Sequence, residues 1–439
     1  MYQAASRITV LRGSATLMVM LLAIAGCSLL PFDFFSFFNP INNPPGDELK
    51  SPESRELDPH ATNEQVAQIV AGNTQFAFDF YRQVAFDSDA NLFFSPYSIS
   101  LALAMTYAGA AGSTEIEMAQ TLHFAPQAQL HPALNALDLE LGADTADAEQ
   151  FLLEIVNSIW GQKNYSFKAQ YLDVLAINYG AGIFRVDFQS QPERCRNNIN
   201  TWVSGKTRGR IEDLLPPGSI GSLTRLVLTN AIYFKADWLH QFEKEDTNEA
   251  PFYLLDDSAV EVSMMSQTQT FNYAEESGYY QAIELPYSGE TLSMVIILAR
   301  DGRFAELQRD IDAEFLATLV ASLQGQPVVL SLPRTTFEWG ESLRDTLSAM
   351  GMPTAFTSQA DFSGIDGTRN LFISDVIHKA FVAIDEEGTE AAAATAVIME
   401  LTAMPVGIRM NVNRPFVFLI RERQTGTVFF LGHVLNPRG

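Results

Sequence analysis

The sequence predicts a mixed α+β fold, helix-rich in its first half and strand-rich in its second. Three observations predict it. From Val66 to Val84 apolar side chains recur at helical spacing. Leu223–Phe234, Tyr279–Ala299 and Phe372–Ile384 are apolar or alternating runs of strand character. The third is Ile384–Met404, IDEEGTEAAAATAVIMELTAM, which precedes the closing strand Pro415–Ile420 and suits two conformations. Four alanines favour helix by propensity. At period two, Thr389, Ala391, Ala393, Thr395, Val397 and Met399 instead share one small or apolar face that could enter a sheet, with Glu390 on the other face. An exposed segment and a buried strand are both open to this stretch.

The chain has 439 residues, 47% hydrophobic and 18% charged, enough to bury a large core. There is no internal repeat, so one large domain and two fused halves both fit the length. The net charge of −24 disfavours nucleic acid and anionic lipid as partners. Two cysteines cannot build a disulfide scaffold, and the six histidines are scattered. No G-x-S-x-G elbow, H-E-x-x-H helix, phosphate-binding glycine loop or C-x-x-C pair occurs, so an enzyme reading has no residues to stand on.

Taken in order, Met1–Arg12 carries Arg7, Arg12 and no acid, and Ser14–Gly26 is an apolar run of secretory-leader length. Ile24-Ala25-Gly26-Cys27 resembles a bacterial lipobox, which implies cleavage before Cys27 and a lipid on it; an uncleaved anchor or an ordinary leader with a chance cysteine is the alternative. The expected location is extracytoplasmic, at the cell envelope and membrane-anchored, with secretion as second choice. Phe32, Phe34, Phe35, Phe37 and Phe38 suit a membrane surface, and Pro40–Pro59 reads as a tether. The expected organisation is therefore a signal peptide at 1–26, a flexible tether at 27–61 and a folded domain at 62–439.

Thr62 and Gln65 form a capping box for the first helix, whose apolar stripe only Asn73 interrupts. Asn91–Ser100 is a short strand running into a helix that reaches Ala110, and three serines at such a joint are ordinarily caps. Further helices are expected from Thr114, at His131–Leu141, Phe167–Tyr179 and Pro192–Gly205, the last holding Cys195 as a free thiol. Leu152–Trp160 is an apolar strand with Asn157 as its polar exception, and Gly182–Phe188 is another. Phe252–Thr270 and Tyr279–Ala299 read as strands, the latter a hairpin at Tyr287–Glu290. Phe304–Leu323 and Glu341–Met350 read as helices, with Val328–Leu332 a strand between them. His378 lies in an apolar strand, where a lone histidine is ordinarily a satisfied core residue. Gly426–Asn436 is the last strand.

Glu386-Glu387-Gly388-Thr389-Glu390-Ala391-Ala392-Ala393-Ala394-Thr395 resembles the hinge of the reactive-centre loop in inhibitory serpins. The same family is matched by Asn91-Leu92-Phe93-Phe94-Ser95-Pro96-Tyr97-Ser98-Ile99-Ser100, by Leu228-Thr229-Asn230-Ala231 with Phe234–Trp238, by His378, and by the N-R-P-F and G-x-x-x-N-P elements at Asn413–Phe416 and Gly432–Pro437. The resemblance runs from Asn63 to Pro437. It implies three β-sheets, about nine helices and an exposed reactive-centre loop. It also implies no enzyme activity and no cofactor: the chain would be a monomeric suicide inhibitor whose cleaved loop inserts into the central sheet and traps a serine or cysteine endopeptidase. Ser95, Ser98, Asn230 and His378 correspond to the shutter beneath that sheet, and Trp238 to the breach where insertion begins. The family's loop length sets the reactive bond at Thr402–Ala403, between Leu401 and Met404. From Thr389 to Ile408 there is no Lys or Arg, which points to an elastase- or subtilisin-like pocket. A non-inhibitory serpin acting as a surface binding or carrier protein is the alternative; the absence of bulky, charged or proline residues on the hinge face Thr389–Thr395 argues against it.

Overall fold

The computed structural model describes residues 46–86, 89–146, 151–389 and 407–439. The first half of these holds β1 (Asp47–Leu49), α1 (Asn63–Ala85), β2 (Leu92–Phe94), α2 (Pro96–Tyr107), α3 (Gly112–Leu122), α4 (Gln127–Ala146), β3 (Phe151–Gln162), α5 (Ala169–Tyr179), β4 (Ile183–Val186), α6 (Pro192–Lys206) and β5 (Leu226–Asp237). There follow β6 (Asn248–Tyr253), β7 (Ala259–Glu276), β8 (Tyr280–Pro286), β9 (Leu292–Ala299), α7 (Phe304–Asp310), α8 (Ala313–Ser322), β10 (Gln324–Pro333) and β11 (Thr335–Ser342). The last are α9 (Arg344–Met350), α10 (Ser363–Asp366), β12 (Asp375–Ile384), β13 (Gly388–Thr389), β14 (Ile408–Asn411), β15 (Phe416–Glu422) and β16 (Val428–Val434).

The capping box closes as the sequence implies: Gln65 N–H donates to Thr62 Oγ1 at 3.2 Å and Thr62 N–H to Gln65 Oε1 at 2.9 Å. Asn73, the polar break in the α1 stripe, is buried and donates from Nδ2 to the Val428 carbonyl at 3.1 Å, which ties α1 to β16. In α2 the Ser95 cap and Pro96 start a helix buried nearly all round, which packs against β3, β5 and β16.

Seven strands form one sheet in the order β1-β4-β3-β5-β13-β12-β11. Along its middle both faces are covered. One meets the main core, and the other meets α6 through Val156, Trp160, Trp202, Val203, Ala231 and Ile377. That is why β3 and β5 read as continuous apolar runs. The second hydrogen-bonded path has nine strands, β14-β10-β7-β8-β9-β15-β16-β2 with β6 on β7. Two of the three expected sheets are thus joined, because the 18-residue β7 pairs with β6 and β10 along most of its length and with β8 at its end.

Several elements differ from the sequence expectation, each for a local reason. Phe304–Leu323 is two helices, since Asp312 caps a new start by accepting from Phe315 N–H at 2.7 Å. Thr335–Ser342 is a strand, which shortens the helix expected from Glu341; its polar outward side hid the alternation. Phe252–Thr270 is a β6–β7 hairpin turning at Asp257, φ +64°. Ten α-helices occur among the described residues. Residues 46–61 of the expected tether are part of the fold: Asp47–Leu49 pairs antiparallel with β4, and Leu49 and Ala61 pack against the core.

Candidate functional site

β5 and β12 lie side by side and parallel, with direct partners from Val227 opposite Asp375 to Tyr233 opposite Phe381. Beyond that point the two strands part, and β13 fills the fork. Thr389 sits opposite Ala236 on one side and Ile384 on the other, antiparallel to both neighbours. The chain therefore already carries a two-residue wedge in the seam of its central sheet.

The wedge follows from local chemistry. The Asp385 carboxylate accepts from the N–H groups of Glu387 at 2.9 Å and Gly388 at 3.1 Å, a side-chain-mediated turn that folds the chain back. Burial pushes the Asp385 carboxyl above its ordinary value. Gly388 is required by contact: a Cβ there would lie 2.1 Å from the Ala236 carbonyl oxygen. Thr389 is fully buried, and its hydroxyl is 2.8 Å from that of Tyr287.

Trp238 organises this end. Its ring stacks on Tyr287 at 4.6 Å, its Nε1 donates to the Asp385 carbonyl at 3.0 Å, and its backbone N–H to the Glu387 carbonyl at 2.9 Å. Glu386 is only 2% exposed; burial raises its pKa, but hydrogen bonds from Arg334, whose Nε is 2.7 Å away, and from Thr247 outweigh that and hold the carboxyl below its usual range. Glu387 pairs with Lys244 at 2.6 Å.

Lower in the same seam, Ser95, Ser98, Asn230 and His378 come together. His378, fully buried on β12, stands opposite Asn230 on β5. Ser95 N–H donates to His378 Nε2 at 3.2 Å, which leaves the proton on Nδ1 to be donated to Asn230 Oδ1. Burial lowers the His378 pKa to about 3, so the ring is neutral. Asn230 Nδ2 donates to Ser98 Oγ at 2.7 Å and to Asn157 Oδ1, and Asn157 Nδ2 donates to the Ser98 carbonyl at 3.1 Å.

The sequence reading missed Asn157 as a cluster member, though its isolation in an apolar strand was the available signal. It also missed Tyr287, Arg334 and Lys244, which act across 52 to 143 residues of separation. Cys195 is a buried free thiol whose pKa burial raises. Among the described residues no group of His, Cys, Asp and Glu could hold a metal ion. Glu390–Thr395 of the hinge, the Thr402–Ala403 bond and Cys27 lie outside the described residues.

Comparison with known proteins converges on one family. The family model described as Serpin (serine protease inhibitor) matches residues 71–437. An uncharacterized serpin-like protein of Thermococcus kodakarensis is 38% identical over 407 residues, covering 91% of this chain and 93% of that protein. The human leukocyte elastase inhibitor is 37% identical over 380 residues, covering 84% of this chain and 100% of its own. The native-state crystal structure of Tengpin, a thermophilic serpin, superposes with a TM-score of 0.79 at 29% identity, over 89% of this chain and 99% of Tengpin.

Proposed function

This chain belongs to the serpin family, and from that premise we propose that it is a suicide inhibitor of serine endopeptidases with elastase- or subtilisin-like pockets, and secondarily of cysteine endopeptidases. The observation that carries the reading is the β13 wedge. A strand that starts between β5 and β12, antiparallel to both, can lengthen downward without changing register or face. Every residue added would exchange one parallel pairing for two antiparallel ones, a gain in hydrogen bonds and in pairing quality.

The chemistry begins as ordinary proteolysis. The protease serine Oγ attacks the Thr402 carbonyl carbon, the Thr402–Ala403 C–N bond breaks, and Ala403 leaves as a new amine carrying the proton delivered by the protease's acid–base group. Thr402 remains an ester on the enzyme. The freed stretch after Thr389 then zips into the seam, carrying the acylated protease with it faster than water can hydrolyse the ester. Thr402, flanked by Leu401 and Ala403, suits a shallow apolar pocket, and the loop offers no Lys or Arg to a pocket that holds a carboxylate. The names of relatives such as the leukocyte elastase inhibitor agree with this class of target. A lipid on Cys27 would hold the inhibitor at the cell envelope, where secreted proteases meet it.

The test is to mix the mature protein with a panel of elastase-, subtilisin-, trypsin- and papain-type enzymes and look for detergent-stable complexes. The released C-terminal fragment should begin at Ala403. A panel in which the loop is cut and no covalent complex forms with any enzyme refutes the reading.

A further inference from the structure

Residues 46–57 run across the molecule before α1 begins, and their contacts bridge two layers. At one end β1 extends the seven-stranded sheet beyond β4, with Asp47 opposite and ion-paired to Arg185, and Leu49 opposite Ile183. Next the segment is pinned to α5. Ser51 Oγ donates to Asp173 at 2.5 Å, Lys50 Nζ to the Gly180 carbonyl at 2.5 Å, and Glu56 N–H to the Ile177 carbonyl at 2.9 Å. At the far end Arg55 forks onto α4, with Nε donating to Asn135 at 2.8 Å and an outer nitrogen to Asp138 at 2.6 Å. Asn135 is fully buried and returns a bond of 2.7 Å from its Nδ2 to the Glu56 carbonyl.

The chain of bonds continues inward. The other oxygen of Asp138 accepts from Tyr97 Oη at 3.2 Å. Tyr97 is in the first turn of α2, between Ser95 and Ser98 of the seam cluster, and its ring stands edge-on to Phe429 of β16 at 5.3 Å. One continuous path thus runs from the outer edge of the seven-stranded sheet, through Arg55 and Asp138, to the helix that holds the seam closed.

We infer that residues 46–57 are a brace which ties the β4–α5 edge to α2 and raises the barrier to parting β5 from β12. Opening the seam requires β3, β4 and β5 to slide over α2, because α2 packs against β3 and β5. A segment bonded at one end to β4 and at the other, through Asp138, to α2 resists that slide. The bidentate Arg55 contact is its firmest point, since both of its acceptors are tied in turn to other elements. The brace itself rests only on the geometry above; its effect on inhibition also rests on the insertion reading.

The test uses the full chain with Arg55→Ala, and with Arg55→Lys, which keeps the charge without the fork. Hydrogen exchange followed by mass spectrometry over 95–100, 155–162 and 226–232 should be about tenfold faster for Arg55→Ala, with Arg55→Lys between it and the parent. Exchange within twofold of the parent in both variants overturns the brace. Loss of inhibitory activity on warm incubation, followed in parallel against an elastase-type enzyme, should be faster for Arg55→Ala. An unchanged half-life beside faster exchange overturns the link to the insertion barrier. If the parent forms no covalent complex at all, the inhibitor reading falls while the exchange data still decide the brace.

Discussion

Thr389→Arg isolates the start of insertion from the chemistry of cleavage. Thr389 is 0% exposed and meets Tyr287 Oη at 2.8 Å, in a fork between Ala236 and Ile384. An arginine there would lose its hydration without gaining a carboxylate, at an effective cost of several kcal/mol, and would orphan the Tyr287 hydroxyl at about 1–3 kcal/mol. Against this the two-residue wedge offers only a few backbone hydrogen bonds of about 1 kcal/mol net each. The wedge should therefore leave the sheet, and insertion should meet a barrier raised by at least about 3 kcal/mol, roughly a 150-fold slowing. The acyl-enzyme would then be hydrolysed before it is trapped. The assay is titration of an inhibited protease with parent and variant, with gel analysis of the products. The loop should still be cut, the covalent complex should vanish, and Thr389→Ser should behave like the parent. An arginine variant that traps protease at the parent's stoichiometry refutes both the position of the wedge and its role.

Two further outcomes follow from the seam. His378→Ala removes the partner of Ser95 N–H and Asn230 Oδ1 at a fully buried site, so stability should fall by about 1–3 kcal/mol and loss of activity on warming, by self-insertion or polymer formation, should come at lower temperature; an unchanged thermal profile contradicts this. Burial depresses the pKa of His378 to about 3 and those of His131 and His433 to about 4, from an ordinary 6.5, so the unfolded chain binds protons over that interval while the native one does not. Native stability should then be complete above pH 6.5 and decline as the pH falls towards 3, by about 1.4 kcal/mol per unit of depression for each ring; a urea midpoint that stays level from pH 7 to pH 4 would rule this out.

Much of the fold was legible because its signals are local. The α1 stripe, the Ser95 cap and the apolar runs of β5 and β12 each reflect the surroundings of a single element. What escaped depends on pairing at a distance. β11 is half exposed, with Thr336, Glu338 and Gly340 on its outward face, and its end at Glu341–Ser342 was read as the start of a helix. Residues 46–61 are polar and proline-bearing because they lie on the surface, yet their backbone and Arg55 are fixed by α4, α5 and β4, which no local pattern announces. At the site, Ser95, Ser98, Asn230, His378 and Trp238 were named through a family pattern. Asn157 needed only the observation that an amide inside an apolar strand must find partners. Arg334 and Lys244 could not be singled out, since an exposed cation carries no mark of the carboxylate it will meet.

The arrangement of the seam cluster bears on how a closed sheet can open at modest cost. Asn230 Nδ2 is held by Ser98 of α2, which lies beneath the seam, and by Asn157 of the neighbouring strand β3. His378 Nε2 keeps the Ser95 N–H. Within this cluster the side-chain bond that crosses from β5 to β12 is the one between His378 and Asn230. Parting β5 from β12 unpairs one side-chain donor and one acceptor between the two strands, and any slide over α2 also loads the bonds that Ser98 makes with Asn230 and Asn157. Under the proposed insertion, the wedge register continued downward from Thr389 opposite Ala236 would set Thr395 opposite Asn230, on the face Thr389 already buries. A threonine hydroxyl both donates and accepts. There it could accept from His378 Nδ1 while donating to Asn230 Oδ1, which would replace the side-chain pair lost between β5 and β12. The alanines at Ala391 and Ala393, which precede it on that face, ask for no polar partner at all.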